Sequence, residues 1–172
     1  ELPLGEVGEI LVRGDQVCAG YWNDDDATAQ SRIGPWLRTG DIGRVDADGL
    51  LFVVDRKKDI IITGGENVAS REVEDVMGEH PAIAQIAVVG IPDDHWGEKV
   101  CAVIVVADAG QPGVGSVDTD TIIAWSHGRL AGFKRPRVVV VMDALPVNAS
   151  GKVDKRLVRE HARALLDDRG RQ

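Results

Sequence analysis

The chain has 172 residues, of which 44% are hydrophobic and 28% are charged, a balance typical of a globular protein. Its formal net charge of −8 argues against a general nucleic-acid-binding protein, because such proteins need positive charge to neutralise phosphates. The two cysteines, Cys18 and Cys101, match no disulfide or metal-binding spacing, which favours a reducing compartment such as the cytoplasm. No apolar stretch reaches transmembrane length, and no signal peptide is visible.

The first part of the chain, residues 1–54, is predicted to be mostly β-structure. The predicted elements are a strand at 9–13, a short helix at 24–32, and a hairpin made by strands 43–45 and 50–54. Asp48-Gly49 lies between the last two strands and is a strong hairpin signal. These elements bury too little apolar surface to form a complete domain, so we expect them to be the end of a larger one.

A burst of charge, Asp55-Arg56-Lys57-Lys58-Asp59, separates this part from the rest of the chain. In most proteins such a run is a solvated linker. Here it stands directly between two apolar segments, which indicates a joint between two structural units. Arg56 is its most informative residue, because a guanidinium group donates in a fixed geometry to sugar oxygens or phosphate.

Beyond the joint, strands and helices alternate, which predicts a small α+β domain. The predicted strands are 60–62, 86–91, 100–106 and 138–142, and the predicted helices are 70–79, 120–131 and 154–166. Ser70 is predicted to cap the first helix, and Gly132 to follow the end of the second. A Gly/Pro loop is predicted at 111–117, the tail from Asp167 is expected to fray, and Cys101 is expected to fill the core.

Two segments can carry chemistry on their residue types alone. The Asp41 carboxylate can accept both hydroxyls of a ribose, although Thr39-Gly40-Asp41 is equally typical of a plain turn. Gly64-Gly65 lets another chain or a ligand approach the backbone closely, and its structural alternative is a tight turn.

Lys152 lies in a Ser-Gly-Lys segment that is similar to the end of a phosphate-binding P-loop, but the segment fails that test. Pro146 stands where the first glycine is needed, and Val153 where Ser or Thr is needed. Lys152 is nevertheless well presented to an anion, because it lies in a loop, expected to be flexible, just before a predicted helix. In a water-poor site its charge can stabilise a developing phosphate charge.

The four histidines show no metal-ligand spacing with one another or with the cysteines. We therefore interpret them as surface or packing residues and predict no metal site in the chain. No Ser-His-Asp or paired-carboxylate arrangement stands out.

Six short motifs occur in a definite order along nearly the whole chain. They are Gly5-Glu6-Val7-Gly8-Glu9-Ile10, Trp36-Leu37-Arg38-Thr39-Gly40-Asp41, Asp55-Arg56-Lys57-Lys58-Asp59 with Gly64-Gly65-Glu66-Asn67-Val68, Asp94-His95-Trp96-Gly97-Glu98, Phe133-Lys134-Arg135-Pro136, and Leu145-Pro146-Val147-Asn148-Ala149-Ser150-Gly151-Lys152. Each motif alone is weak, but the ordered set resembles the C-terminal part of the adenylate-forming enzymes. That superfamily includes acyl-CoA synthetases, adenylation domains of peptide synthetases, and luciferases.

This family joins a carboxylic acid to ATP to form an acyl-adenylate, releases pyrophosphate, and then transfers the acyl group to a thiol. The resemblance implies that Asp41 binds the ribose hydroxyls and that Arg56 supports the ribose and phosphate. It implies that Lys152 is the adenylation lysine, acting on the α-phosphate and the acyl oxygens, and that Lys58 stands at the hinge position. A cation helps most where charge develops on the transferring phosphorus.

The resemblance also implies that the small domain turns about the hinge between two half-reactions. One face brings Lys152 to the nucleotide, and the other brings the loop Gly64-Gly65-Glu66-Asn67 to the pantetheine arm of CoA. Trp96, Phe133 and Arg135 match positions that contact the nucleotide end of CoA in some ligases, where a ring can stack on adenine and Arg can pair with phosphate. The structural alternatives for these residues are a packed tryptophan and a basic turn.

Departures from the family pattern narrow the function. Ile62 stands where luciferase-like relatives often have Lys, and Gly64-Gly65-Glu66-Asn67 favours fatty-acyl- or aryl-CoA ligases over amino-acid-activating domains. Two alternatives stay open. One is an acyl-AMP ligase that loads a carrier protein, and the other is a non-catalytic binding or interaction module that kept the lid fold.

The expected architecture is therefore α+β. Residues 1–54 would be the β-rich end of a large N-terminal domain, and residues 55–172 a C-terminal lid domain with a central β-sheet flanked by helices and a hinge at 55–59. The N-terminal domain would hold Mg²⁺ and the acyl pocket, so we expect this chain alone not to catalyse adenylation. The expected partners are a carboxylic acid, ATP and CoA, with no nucleic acid, and peripheral membrane contact is expected if the acid is long-chain.

Overall fold

The computed structural model describes residues 1–107 and 118–169. The chain divides into two compact units, Glu1–Lys58 and Asp59–Gln172. Each unit is described by itself.

The first unit is a small antiparallel sheet with one short helix. Its elements are β1 (Gly8–Val12), α1 (Asp25–Gln30), β2 (Arg32–Ile33), β3 (Trp36–Val45) and β4 (Leu51–Arg56). The long strand β3 pairs with the other three strands. The predicted hairpin is confirmed, since Val45 lies opposite Leu51, and its turn is closed by the Asp46 carboxylate, which accepts hydrogen bonds from two backbone N–H groups.

The helix predicted at 24–32 is shorter than expected. Asp24 caps it by accepting a hydrogen bond from the Ala27 backbone N–H at 2.8 Å. The helix stops at Gln30 because Arg32 and Ile33 form the strand β2, which pairs with the start of β3. Strand pairing therefore overrides the helical pattern at these two residues.

The second unit is an α+β fold, which confirms the predicted fold class. Its strands are β5 (Ile61–Thr63), β6 (Glu66–Val68), β7 (Ile83–Asp93), β8 (Gly97–Val106) and β9 (Val138–Val141), and its helices are α2 (Ser70–Gly78), α3 (Thr119–Trp125) and α4 (Lys155–Arg169). Strand β8 pairs antiparallel with β7 and β5 and parallel with β9. Short 3₁₀ turns occur at Lys57–Asp59 and Gly132–Lys134.

Two hydrophobic clusters lie on opposite faces of this sheet, because successive strand residues alternate in direction. One cluster packs under α2 and α3 and contains Ile61, Val68, Val73, Met77, Ile83, Val88, Val100, Ala102, Ile104, Ile122, Leu130 and Val139. The other packs under α4 and contains Ala87, Val89, Ile91, Cys101, Val103, Val140, Leu145, Val158 and Ala162. Cys101 is fully buried, as predicted, and burial raises the pKa of its thiol to about 12.

The outer edge of β7 is covered by side chains from two helices. The Glu74 carboxylate accepts a hydrogen bond from the Val88 backbone N–H at 2.7 Å. The Arg159 Nε donates to the Gly90 carbonyl at 2.9 Å. These contacts satisfy backbone groups that an open strand edge would otherwise leave exposed.

Several predicted details of this unit are wrong. Ser70 does not cap α2: Ala69 is the N-cap residue, and the buried Ser70 hydroxyl instead accepts a hydrogen bond from Lys155. Helix α3 ends at Trp125, and the left-handed Gly128 follows it, so Gly132 is not the helix-ending glycine.

Helix α4 continues to Arg169, past the point where fraying was expected, and strand β6 was not predicted at all. The loop predicted at 111–117 lies outside the described residues.

Candidate functional site

Asp41 and Arg56 lie side by side in the first unit. They are directly opposite each other on β3 and β4, and the Arg56 Nε lies 2.7 Å from the Asp41 Oδ1. Their side chains are 30% and 58% exposed, respectively. The pair offers a carboxylate acceptor and guanidinium donors at one accessible place, which suits a ligand with several hydroxyl groups or a phosphate.

Asp41 is also held through its backbone. Its N–H donates to the Thr39 hydroxyl at 3.0 Å, and that hydroxyl donates to the Ile10 carbonyl of β1 at 2.8 Å. Thr39-Gly40-Asp41 is therefore not the plain turn that its composition permits, because it lies within β3. The positive φ of Gly40, 72°, occurs where the β1–β3 pairing is irregular.

The Glu9 carboxylate, which the sequence does not single out, anchors this region. Glu9 accepts hydrogen bonds from the Arg38 guanidinium at 2.8 Å and from the Lys57 ammonium at 2.9 Å. These two cations, Arg38 first, lower the pKa of Glu9 from 4.5 to about 2. Glu9 thus ties β1 to both β3 and the residue that precedes Lys58. Glu9 lies in the first of the six motifs, and nothing in that motif indicates this role.

Lys58 is the last residue of the first unit, and its side chain is exposed. It lies in the 3₁₀ turn Lys57–Asp59, within the segment predicted to be a hinge. Its hinge role stays a prediction.

Gly64 and Gly65 form a two-residue turn between β5 and β6, with Thr63 opposite Glu66. Their φ angles are +58° and +84°, which glycine adopts without strain. Gly64 also lies against Trp96: a Cβ atom on Gly64 would be 2.9 Å from the indole ring, and the Gly64 N–H donates to the Trp96 carbonyl. The structure therefore brings Gly64 and Trp96 together.

Trp96 is held by the loop that carries it. The Asp93 carboxylate accepts hydrogen bonds from the backbone N–H groups of Trp96 and His95, each at 3.0 Å, and pairs with Lys99 at 3.2 Å. These backbone donors, Trp96 first, lower the pKa of Asp93. The indole remains 37% exposed, so part of its surface is available to a ligand.

The basic segment 133–137 places its side chains in different surroundings, and the CoA roles of Phe133 and Arg135 stay predictions. The Arg135 Nε donates to the Leu130 carbonyl at 3.0 Å, so this side chain helps to hold its own turn. Arg137 is exposed, and its guanidinium lies over the Trp96 ring, 4.6 Å from the centroid. Phe133 is 38% exposed and has Lys134 beside it. Sequence analysis missed Arg137, although its position at the end of a basic run was a usable signal.

Lys152 lies in a loop that is closely hydrogen-bonded rather than flexible. The Asn148 side-chain oxygen accepts hydrogen bonds from the backbone N–H of Ser150, from the Ser150 hydroxyl and from the backbone N–H of Lys152. A β-bridge between Val147 and Val153 closes the loop. Its backbone is therefore well fixed while the Lys152 side chain is exposed, an arrangement suited to placing a cation at an anionic ligand.

Within residues 1–107 and 118–169, no cluster of three or more His, Cys, Asp or Glu side chains could hold a metal ion. Among the helices in the same ranges, none is long and apolar enough to cross a lipid bilayer.

Comparison with known families gives a match to the second unit. Residues 72–152 match the family model described as the AMP-binding enzyme C-terminal domain.

Comparison with individual proteins extends the match to most of the chain. The chain is 49% identical, over 158 residues, to a medium/long-chain-fatty-acid–CoA ligase, FadD8, of Mycobacterium tuberculosis, covering 90% of this chain and 28% of the relative. It is 46% identical to the amide bond synthetase McbA from Marinactinospora thermotolerans, with a TM-score of 0.81, covering 92% of this chain and 32% of that one. It is 39% identical to the o-succinylbenzoate CoA synthetase MenE from Bacillus subtilis, solved with its acyl-adenylate intermediate, with a TM-score of 0.79, covering 88% and 30%.

The chain thus spans about 30% of the length of these relatives, two of which are a CoA ligase and a CoA synthetase. The likeness supports the α+β fold class and the resemblance to the C-terminal part of adenylate-forming enzymes.

Proposed function

We infer, from the match of residues 72–152 to the AMP-binding enzyme C-terminal domain, that this chain works as the C-terminal part of an AMP-forming acyl-CoA ligase. The complete enzyme joins a carboxylic acid to ATP, giving acyl-AMP and pyrophosphate. It then transfers the acyl group to the CoA thiol, giving the thioester and AMP. The observation that carries the proposal is the fixed loop that presents an exposed Lys152 within the matched domain.

In the first half-reaction, Lys152 places its ammonium at the α-phosphate and the acyl oxygens. Negative charge shifts onto these atoms as the carboxylate attacks phosphorus and pyrophosphate leaves, so a fixed cation lowers the barrier. Asp41 accepts the ribose hydroxyls, and Arg56 supports both the ribose and the phosphate. The 2.7 Å ion pair between Asp41 and Arg56 supports this assignment, since it orients both groups before the nucleotide binds.

In the second half-reaction, the unit that starts at Asp59 turns about Lys58 and presents its other loop. Gly64, Gly65 and Glu66 line the path of the pantetheine arm. Trp96 lies beside Gly64 and, with Phe133 and Arg135, receives the nucleotide end of CoA. The contact between Gly64 and Trp96 supports this grouping, because it makes the turn and the ring one surface.

The proposal assigns the acid site and the Mg²⁺ site of the complete enzyme to another domain. A preceding N-terminal domain, of which residues 1–54 form the β-rich end, binds the acid and the Mg²⁺ that accompanies ATP. The free thiols of Cys18 and Cys101 support a cytoplasmic location, and peripheral membrane contact follows if the acid is long-chain.

The proposal is tested with the full-length enzyme that contains this chain. We expect ATP and a suitable fatty or aromatic acid to give AMP and pyrophosphate, with AMP release dependent on a thiol. Release of ADP and phosphate would contradict an adenylate-forming mechanism. Adenylate formation at the full rate by the 172-residue chain alone would contradict the assignment of the acid site to another domain.

Two other acceptors of the acyl group are compatible with the same adenylate chemistry. One is the thiol of a carrier protein. The other is an amine, which the 46% identity to an amide bond synthetase suggests. Supplying CoA, an acyl-carrier protein or an amine separately to the acyl-adenylate complex distinguishes them, and we expect CoA to release AMP fastest. A non-catalytic interaction module has no need of Lys152, Asp41 and Arg56 together, and it would release AMP with none of the three acceptors.

Trp96→Ala tests the CoA surface. We expect a higher KM for CoA with unchanged pyrophosphate release, because the indole acts only in the thiol step. Trp22→Ala is a matched control, since Trp22 is 92% exposed and lies in the first unit. An unchanged CoA dependence in Trp96→Ala would remove Trp96 from the site.

A further inference from the structure

Lys155 on α4 contacts α2 through its amino group and is linked to β7 through Glu74. It is the first residue of α4, and its Nζ lies 2.6 Å from the Ser70 hydroxyl oxygen and 2.7 Å from the Glu74 Oε1, both on α2. The same Glu74 oxygen accepts the backbone N–H of Val88 on β7 at 2.7 Å. The Lys155 and Glu74 side chains are only 17% and 20% exposed, so this is a largely buried network.

At one end the network is joined directly to the Lys152 loop. Asp154 lies between the loop and Lys155, and its N–H donates to the Pro146 carbonyl at 2.9 Å. Its carboxylate also accepts the Arg156 backbone N–H at 3.0 Å, which caps the helix. Because only Val153 and Asp154 separate Lys152 from Lys155, fixing Lys155 fixes the end of the loop.

At its other end the network is joined to the Gly64-Gly65 turn. Strand β6 returns from this turn, and Ser70 follows its last residue, Val68, by two positions. Val68, Ala69 and Ser70 are all buried, so the start of α2 is packed in place. The Lys155 amino group therefore links the segment after the glycine turn to the segment after Lys152.

We infer that Lys155 is a positioning residue that holds the Lys152 loop in register with the Gly64-Gly65 turn. This inference rests on the proposed function for its catalytic consequence. Its bonds to Ser70 and Glu74 keep the two loops in one fixed arrangement, so a single rotation of the unit exchanges one for the other. Lys155 itself contacts no substrate, and it acts on adenylation only through the placement of Lys152.

The test replaces Lys155 by methionine, which keeps an unbranched apolar side chain, one atom shorter, and removes the amino group and its charge. In the full-length enzyme we expect the turnover number for adenylate formation to fall about tenfold or more, since small displacements of a catalytic group are costly. The KM for ATP should change less than about twofold, because Lys155 does not bind the nucleotide. Lys155→Arg should restore most of the rate.

Arg156→Met is the matched control. Arg156 is the next residue of the same helix turn, its side chain is 68% exposed, and it pairs with Glu160. We expect this variant to adenylate at the wild-type rate. An equal loss in Lys155→Met and Arg156→Met would overturn the inference.

A second measurement does not depend on catalysis. In the 172-residue chain, amide hydrogen exchange of residues 148–154 should be at least about fivefold faster in Lys155→Met and unchanged in Arg156→Met. Unchanged exchange in Lys155→Met would overturn the inference even if the enzyme is an active ligase. Faster exchange in Lys155→Met would support the positioning role. If the wild-type enzyme nevertheless forms no adenylate, the proposed function is wrong and the positioning role is not.

If Lys155→Met does not fold, Glu74→Gln removes the same ion pair with a side chain of nearly the same shape. We expect the same selective loss of adenylation turnover. Equal losses in adenylation and in thioester formation from preformed acyl-adenylate would assign the network a purely structural role.

Discussion

The two units of the chain hold their candidate site residues by different means. In residues 1–58, all of which the structure describes, no hydrophobic side chain is fully buried, and residues 50–53 are 43–59% exposed. Asp41 and Arg56 are held there by strand register and ion pairs. In the second unit, two buried clusters pack against opposite faces of one sheet, and the Lys152 and Gly64 loops extend from it.

This difference has a physical consequence. Packing in a dry core is insensitive to salt and pH, whereas ion pairs on an exposed sheet are weak and are screened by salt. The geometry of the Asp41–Arg56 pair should therefore respond to solution conditions, and the core of the second unit to changes in side-chain volume.

The largest expected effect comes from a cavity in the core of the second unit. Ile104 on β8 is fully buried, so Ile104→Ala should lower the free energy of unfolding by about 2–5 kcal/mol. Leu51 in the first unit is 55% exposed, so Leu51→Ala should change it by no more than about 0.5 kcal/mol. Urea unfolding followed by far-UV circular dichroism measures both. Equal losses of unfolding free energy in the two variants would contradict the claim that a buried core stabilises the second unit but not the first.

A smaller effect is expected at the glycine turn. Gly64→Ala forces a left-handed backbone and pushes against the indole of Trp96, at an expected cost of about 1–3 kcal/mol. Its control is Gly132→Ala, where a Cβ atom meets nothing within 4 Å and φ is not left-handed. Thermal unfolding gives the cost, and tryptophan emission should shift in the first variant alone. An emission shift in both variants would mean that the shift does not report the Gly64–Trp96 contact.

The smallest expected effect is a pH dependence of the first unit. The pKa of Glu9 is about 2 in the folded chain, below its ordinary value of 4.5. The stabilisation by Arg38 and Lys57 is therefore fully present above about pH 4.5 and is lost as the pH falls through about 2. An NMR titration of the Glu9 side-chain carbons should give the low midpoint, and Glu9→Gln should remove this part of the acid sensitivity. A midpoint near 4.5 would contradict the anchoring role.

Local signals predicted the elements that local chemistry determines. Asp48-Gly49 located the hairpin of the first unit, and nearly continuous apolar runs located β7 and β8. The failures concern short elements. Strand β6 has three residues and forms by pairing with β5 across the Gly64-Gly65 turn, and α3 is shorter than its apolar pattern because Gly128 follows it in a left-handed conformation.

The candidate site, too, was predicted only in part from the sequence. Ordered motifs identified the candidate residues, but no spacing indicates that Arg137 covers Trp96 or that Gly64 lies against the same ring. The Asn148 side chain that organises the Lys152 loop was read only as part of a motif, since its three hydrogen bonds depend on the folded turn. Contacts between segments far apart in the chain need the fold before they can be seen.

The central claim is that Lys152 serves one half-reaction and the Gly64–Trp96 surface the other. The most direct measurement follows both half-reactions of the full-length enzyme carrying Lys152→Ala. We predict that acid-dependent pyrophosphate release falls by about 100-fold or more, while conversion of preformed acyl-adenylate and CoA to thioester continues near the wild-type rate. Loss of both half-reactions to the same extent would contradict this division of labour.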